Sequence, residues 1–187
     1  MEQEKQSTGG KSPPENKGAP KKPKKKRSAG SYAIEFFIKV GVTALAIWAL
    51  LTFVVSININ HSNSGYPMIK DGDLCISYRR GKIVNNDVYS YKQGGKVKFG
   101  RIMAEAGDSV SFMEESLMVN GYGVYEDTVY PTTEEGVKIP LPYTVPQGSV
   151  FLLNDYRNDL DDSRTFGGVP QEDIIGKVIL IIRRRGI

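Results

Sequence analysis

From Val40 to Ile57 the chain runs for eighteen residues without a charge, VGVTALAIWALLTFVVSI, and is apolar on every helical face. At 1.5 Å per residue this run covers about 27 Å of a hydrocarbon core of ~30 Å, so it predicts a transmembrane helix with some tilt or with help from Ile59. Upstream, YAIEFFIKV extends the helix into the interface, with Lys39 able to snorkel and Tyr32 at headgroup level. Beyond Asn60 the pattern changes to short β-type runs between turn residues. LCISYR follows Gly72-Asp73, DVYSYK follows Asn85-Asn86, and KVKFGRIMAEA ends at Gly107-Asp108. SVSFME and LMVNG predict a hairpin around Glu115-Ser116, and SVFLLND and KVILIIRRR close the chain. Only PQEDII offers a helical turn, and no repeat period is visible. The pattern as a whole predicts a mainly β domain, a folded sheet or barrel, carried on one N-terminal transmembrane helix. YPTTEEGVKIPLPYTVPQG, with four prolines, reads as an insertion or extended connection.

Charge divides the chain unevenly. Residues 1–31 hold nine Lys/Arg and three Asp/Glu, which leaves 16 basic against 18 acidic residues in the remainder. The overall charge of +4 therefore comes from the tail alone, and no nucleic-acid partner is expected. The tail is rich in Lys, Pro, Gly and Ser, cannot bury enough surface to offset its ordering entropy, and is expected to be disordered. A basic cluster N-terminal to an apolar span keeps that end in the cytosol, so the β domain is expected outside. SININHSNS offers no small-x-small cleavage site, and the anchor is expected to be retained. The expected organisation is a cytoplasmic tail (residues 1–31), a single-pass plasma-membrane anchor (32–59) and an extracytoplasmic β domain (60–187). With one Cys and one His no metal-ligand cluster is expected and no cofactor is implied; Cys75 reads as a small buried strand residue.

Three stretches carry chemistry. Ser64-Gly65-Tyr66-Pro67 with Gly72-Asp73 resembles the Ser-Met-x-Pro-(x)4-Gly-Asp box of type I signal peptidases. Gly100-Arg101 through Gly107-Asp108 resembles their Lys-Arg-(x)5-Gly-Asp box. Asn154-Asp155-Tyr156-Arg157, followed by Asp162-Ser163-Arg164 and Gly167-Gly168, is similar to their Gly-Asp-Asn-Arg-(x)2-Ser-x-Asp-Ser-Arg-x-x-Gly box. The resemblance covers roughly residues 32–187. It implies a Ser/Lys serine endopeptidase that removes signal peptides from exported precursors at the outer membrane face. Ser64 falls at the nucleophile position, and Ser62 with the Ser64 N–H falls at the oxyanion hole, where losing one donor costs about 3–4 kcal/mol of barrier. Asp162 and Arg164 match a structural ion pair beside Ser163, and Gly167 allows close backbone approach.

The departures from the family pattern matter as much. A serine hydroxyl needs a base, which in this family is a desolvated lysine. That lysine position is Gly100, and the serine that orients the amine is replaced by Leu160. The Met after the nucleophile is Gly65, which puts an apolar contact beneath the scissile bond in question. Lys98, two residues before Gly100, points to the same face of a strand and is a substitute base; His61 is the other. Lys96 and Lys98 also suit a solvated edge-strand face. Three readings stay open. One is an active peptidase with an unusual base. Another is a non-catalytic relative that binds exported precursors or pilin-like surface proteins at the lipid surface and assists their assembly. The last is a tethered β domain with an unrelated interaction role.

Overall fold

The computed structural model describes residues 29–126 and 130–183. The basic tail expected to be disordered lies outside the described residues up to position 28. Helix α1 spans Ala29–Phe53, so it begins within the stretch expected as tail. Up to Gly41 the helix stands as its own unit, with Glu35 and Lys39 one turn apart and paired at 2.8 Å. From Gly30 to Phe53 the helix is long and apolar enough to cross a membrane.

The second unit starts at Val42 and holds the β domain. The apolar run read from the sequence is shared between two elements: α1 stops at Phe53 and Val55–Ile59 form strand β1. Two arginines fix the break. Arg80 Nε donates at 3.0 Å to the Phe53 carbonyl, which the helix end leaves open, and Arg79 Nε donates at 3.3 Å to the carbonyl of Val55, the first residue of β1.

The remaining strands are β2 (Leu74–Tyr78), β3 (Val88–Gln93), β4 (Lys96–Ala104), β5 (Ser109–Met113), β6 (Ser116–Val119), β7 (Tyr122–Gly123), β8 (Tyr143–Thr144), β9 (Ser149–Leu153), β10 (Val169–Pro170) and β11 (Ile174–Ile182). A one-turn helix, α2, spans Ser163–Phe166, and PQEDII does supply a 3-10 turn at Gln171–Asp173. Among the described residues the strands form two antiparallel sheets, ordered β1-β2-β11-β3-β4-β9-β10 and β7-β6-β5-β8. The mainly β expectation holds. The β3–β4 hairpin turns on Gly94 and Gly95, both at positive φ, the backbone that a two-residue turn matched to strand twist requires. The β5–β6 hairpin expected near Glu115-Ser116 forms with two glutamates, Glu114 and Glu115, in that same left-handed region. The proline-rich stretch is an extended connection that contributes only β8.

Three apolar clusters hold the domain. Met103, Val110, Phe112, Leu117, Phe151 and Leu153 join the two sheets. Tyr89, Tyr91, Ile102, Val150, Leu152 and Val169 form a second cluster, and Ile69, Cys75, Val88, Phe99 and Val178 a third. Cys75 is fully buried on β2, as its alternation predicted. Burial, and secondarily the Asp73 carboxylate, push its thiol up to about 11.

One feature of the sheet positions the site. β4 pairs with β3 from Lys96 onward but with β9 only from Arg101, so residues 96–100 keep one edge free. That edge faces a groove of about 770 Å³ whose walls include Ile57, Ile59, Val97 and Phe99.

Candidate active site

Ser64 sits in the loop between β1 and β2, and the loop is tied shut at its base. Asn60 accepts from Gly72 N–H at 2.9 Å through its carbonyl and donates from its backbone N–H to the Asp73 carbonyl at 2.9 Å. Its side-chain amide donates to the carbonyls of Ser62 and Lys70. The buried Asp73 carboxylate accepts the Lys70 N–H at 2.9 Å. Gly65 has a packing reason: a Cβ there would lie 2.9 Å from the Ile69 Cβ, so Ile69 fills the space that a side chain at 65 would need.

The loop after β9 comes down beside Ser64. Tyr156 N–H donates to the Ser64 carbonyl at 2.9 Å. The Ser64 hydroxyl donates to Asp159 Oδ2 at 2.6 Å, and the other Asp159 oxygen accepts the Asp161 N–H at 3.0 Å. Ser62 Oγ lies 2.5 Å from Ser64 Oγ and accepts the Ser64 N–H at 3.1 Å. With the Ser64 proton directed at Asp159, Ser62 is the donor of the hydroxyl pair. The two groups expected as oxyanion donors, the Ser62 O–H and the Ser64 N–H, are thus engaged with the Ser62–Ser64 pair itself, and a carboxylate stands against the hydroxyl.

Buried charge holds the 154–164 segment in place. Asp162 and Arg164 are both almost wholly enclosed and pair at 2.7 Å. Asp162 also accepts the backbone N–H of Asn154 at 2.9 Å, and Arg164 reaches the carbonyls of Arg157 at 2.8 Å and Asp159 at 2.9 Å. Asn154 Nδ2 donates to the same Asp159 carbonyl at 3.1 Å. Ser163 Oγ accepts the Leu152 N–H at 3.0 Å and stitches the segment to β9. The Gly167 backbone lies so close to Tyr143 that a Cβ would come within 2.8 Å of its hydroxyl, which in turn accepts the Gly168 N–H at 2.8 Å. Arg101 grips Asp155 with two bonds of 2.8 Å.

Where the family lysine is expected, the fit around the backbone is tight. A Cβ on Gly100 would lie 3.2 Å from Tyr91 Cε1 and 3.4 Å from Leu152 Cβ. The Leu160 side chain packs over Gly136, whose added Cβ would meet it at 2.4 Å. Lys98 does point to the groove, but its ammonium is bound to Asp161 at 2.7 Å and lies 5.6 Å above the Phe166 ring, so it is a half-buried, paired cation. His61 also lines the groove and is exposed, without a hydrogen bond among the described residues.

Two residues absent from the sequence reading therefore belong to the site. Asp159 is one; the acidic string Asn158-Asp159-Leu160-Asp161-Asp162 was its only trace. Tyr91 is the other. Its ring packs on Gly100, and its buried hydroxyl has no hydrogen-bond partner. Desolvation above all, then the carboxylates of Asp162, Asp161 and Asp159, push its ionisation upward.

The arrangement makes Asp159 the group in contact with the nucleophile-position hydroxyl. A carboxylate is intrinsically a weaker base than an amine. Ser64 thus has a hydrogen-bond partner but a poor base.

A family profile described as "Signal peptidase, peptidase S26" matches residues 33–183. Inactive signal peptidase IA of Staphylococcus aureus is 25% identical over 158 residues, covering 79% of this chain and 90% of that protein. Signal peptidase IB of Staphylococcus aureus is 25% identical over 167 residues, covering 78% and 86%. A crystal structure of a signal peptidase I from Enterococcus faecalis V583 aligns at 26% identity and a TM-score of 0.47, covering 53% of this chain and 98% of that one. The match across residues 33–183, through all three boxes read from the sequence, places this chain in the signal peptidase family, peptidase S26.

Proposed function

We propose that this protein is a non-catalytic or severely impaired signal peptidase homologue. It binds exported precursors or pilin-like surface proteins at the outer face of the plasma membrane and assists their assembly. The observation that carries this reading is the state of the Ser64 hydroxyl. It donates to Asp159, its neighbouring donors are engaged, and the lysine position is a glycine packed under Tyr91. A relative named as inactive over 79% of this chain supports it. The apolar helix supplies the anchor, and the basic tail before it favours a cytoplasmic N-terminus. The groove survives although the chemistry is disabled, so binding is the function it can still perform.

A second reading has its own observation. Ser64 and Asp159 stand at the 2.6 Å separation of a nucleophile and its base, with Asp159 oriented by the Asp161 N–H, so a slow hydrolysis through Asp159 is the competing activity. Lys98 serves that reading only once released from Asp161.

The test is genetic. In the native host, Ser64→Ala leaves surface-protein assembly at wild-type level, while Val97→Asp, which places a charge in the groove wall, abolishes it. Loss of assembly in Ser64→Ala would favour the catalytic reading.

A further inference from the structure

We infer that the loop after β2 holds an anionic phospholipid where helix α1 leaves the bilayer, with Arg79, Arg80 and Lys82 receiving the phosphodiester of its headgroup. The inference rests on the reading of α1 as the membrane anchor and is independent of what the groove binds. It starts from depth. Arg79 and Arg80 grip three successive carbonyls at the helix exit. Arg80 Nε reaches Phe53 at 3.0 Å, the Arg79 backbone N–H reaches Val54 at 2.9 Å, and Arg79 Nε reaches Val55 at 3.3 Å. Phe53 is the last residue of the apolar span, so these bonds fix both guanidinium groups at the level where hydrocarbon gives way to headgroups. The Trp48 ring, edge-on to Phe53 at 6.3 Å, and the exposed Tyr78 supply the aromatic belt characteristic of that level.

Charge is the second, independent observation. Arg79, Arg80 and Lys82 are exposed and have no carboxylate partner among the described residues. Lys177, which stands opposite Tyr78 across the sheet, is by contrast neutralised by Asp87. Carbonyl capping occupies the Nε of each arginine and leaves the two terminal Nη groups, a flat pair of donors that matches two phosphate oxygens. It explains nothing at Lys82. The backbone there is held by the buried Tyr89, whose hydroxyl donates to the Lys82 carbonyl at 3.2 Å and accepts the Val84 N–H at 2.9 Å. The loop is thus braced at both ends, and three uncompensated cations are kept together at headgroup depth. Cations so placed favour an anionic over a zwitterionic headgroup, because each contributes its own attraction to negative lipid.

The full chain is reconstituted into phosphatidylcholine vesicles, where Trp48, the only tryptophan in the sequence, reports which lipid lies beside the helix exit. Phosphatidylglycerol or phosphatidylcholine with the same dibrominated acyl chains replaces the host lipid stepwise, and bromine quenches the indole on contact. Phosphatidylglycerol quenches as if bound about tenfold more tightly. Lys82→Gln, which touches no helix carbonyl, lowers that preference severalfold. Arg79→Gln and Arg80→Gln keep an amide N–H for the carbonyls, and the triple glutamine variant shows no preference while its circular dichroism is unchanged. Lys138→Gln, which removes an equal charge from the proline-rich connection, leaves the preference in place. Equal quenching by the two lipids overturns the proposal, as does a preference undiminished in Lys82→Gln or lowered as far in Lys138→Gln. A preference that survives in the triple variant would belong to the basic tail and overturns it too. Loss of the preference in inorganic phosphate, but not in chloride of equal ionic strength, would overturn the lipid assignment in favour of a free anion. If neither lipid quenches Trp48, the anchor reading fails and the proposal with it, whereas equal quenching sinks the proposal and leaves the anchor standing.

Discussion

Replacing Gly100 with lysine puts an amine where the family resemblance expects the base, and the structure predicts that this alone restores nothing. The first obstacle is steric. The new Cβ lies 3.2 Å from Tyr91 Cε1, tighter than ordinary contact, and 3.4 Å from Leu152 Cβ, at its edge, so the aromatic ring must give by a few tenths of an ångström; overpacking of this kind costs about 1–3 kcal/mol. The second obstacle is electrostatic. An unperturbed lysine is neutral at about one part in 2,500 at neutral pH. A carboxylate within a few ångströms raises an amine's pKa by roughly 1–3 units, cutting that fraction a further tenfold to a thousandfold. Asp159, already bound to Ser64 at 2.6 Å, is that carboxylate. The Gly100→Lys protein is therefore less stable than wild type and silent, and Gly100→Lys with Asp159→Asn gains hydrolysis that disappears when Ser64→Ala is added. The assay is the initial rate of fluorogenic precursor-peptide cleavage, with the unfolding midpoint measured alongside. Equal rates from the single and double variants would refute the assignment of Asp159 as the group that holds an amine protonated and engages Ser64.

Other consequences can be checked separately. Tyr91→Phe removes a buried hydroxyl without a partner and should stabilise the free protein by about 1 kcal/mol in denaturant unfolding; a loss of stability would mean that the oxygen is satisfied. Arg164→Met leaves the buried Asp162 without its cation and removes one of the two donors to the Asp159 carbonyl, and should cost about 3–5 kcal/mol by the same measurement. The Cys75 thiol is raised on folding from 9.0 to about 11, so its contribution is fully present below the unfolded value and lost as pH rises through about 11. Thermal melts across the alkaline range should show that loss in the wild type and a smaller one in Cys75→Ala.

The sequence showed the parts of this protein that local pattern controls. β-type runs between turn residues placed β2, β3 and β4, the β5–β6 hairpin formed near Glu115-Ser116, and burial of Cys75 followed from its neighbours. What escaped it was set by contacts between distant segments. The apolar run gave no sign that Val55–Ile59 would leave the helix, because its end is fixed by arginines some 25 residues later. The Ser64–Asp159 bond joins residues 95 apart and depends on Arg164 and Asn154 gripping the Asp159 carbonyl. Tyr91 looked like an ordinary strand aromatic until the pairing of Tyr91 with Lys98 set its ring beside Gly100. Lys98 lines the groove together with Lys96, Val97 and Phe99, so alternation alone did not single it out, and its pairing with Asp161 required the fold. The missing lysine at Gly100 was legible as an absence; the carboxylate that took up its neighbour was not.

The central claim is that the Ser64 hydroxyl lacks a competent base and does not turn over substrate. Its most direct test is the cleavage rate of a signal-peptide-bearing precursor by the purified full-length protein in nanodiscs, compared with Ser64→Ala. The account predicts indistinguishable traces at the uncatalysed background for both proteins. Steady cleavage at the precursor's processing site, lost when the Ser64 oxygen is removed, would contradict it.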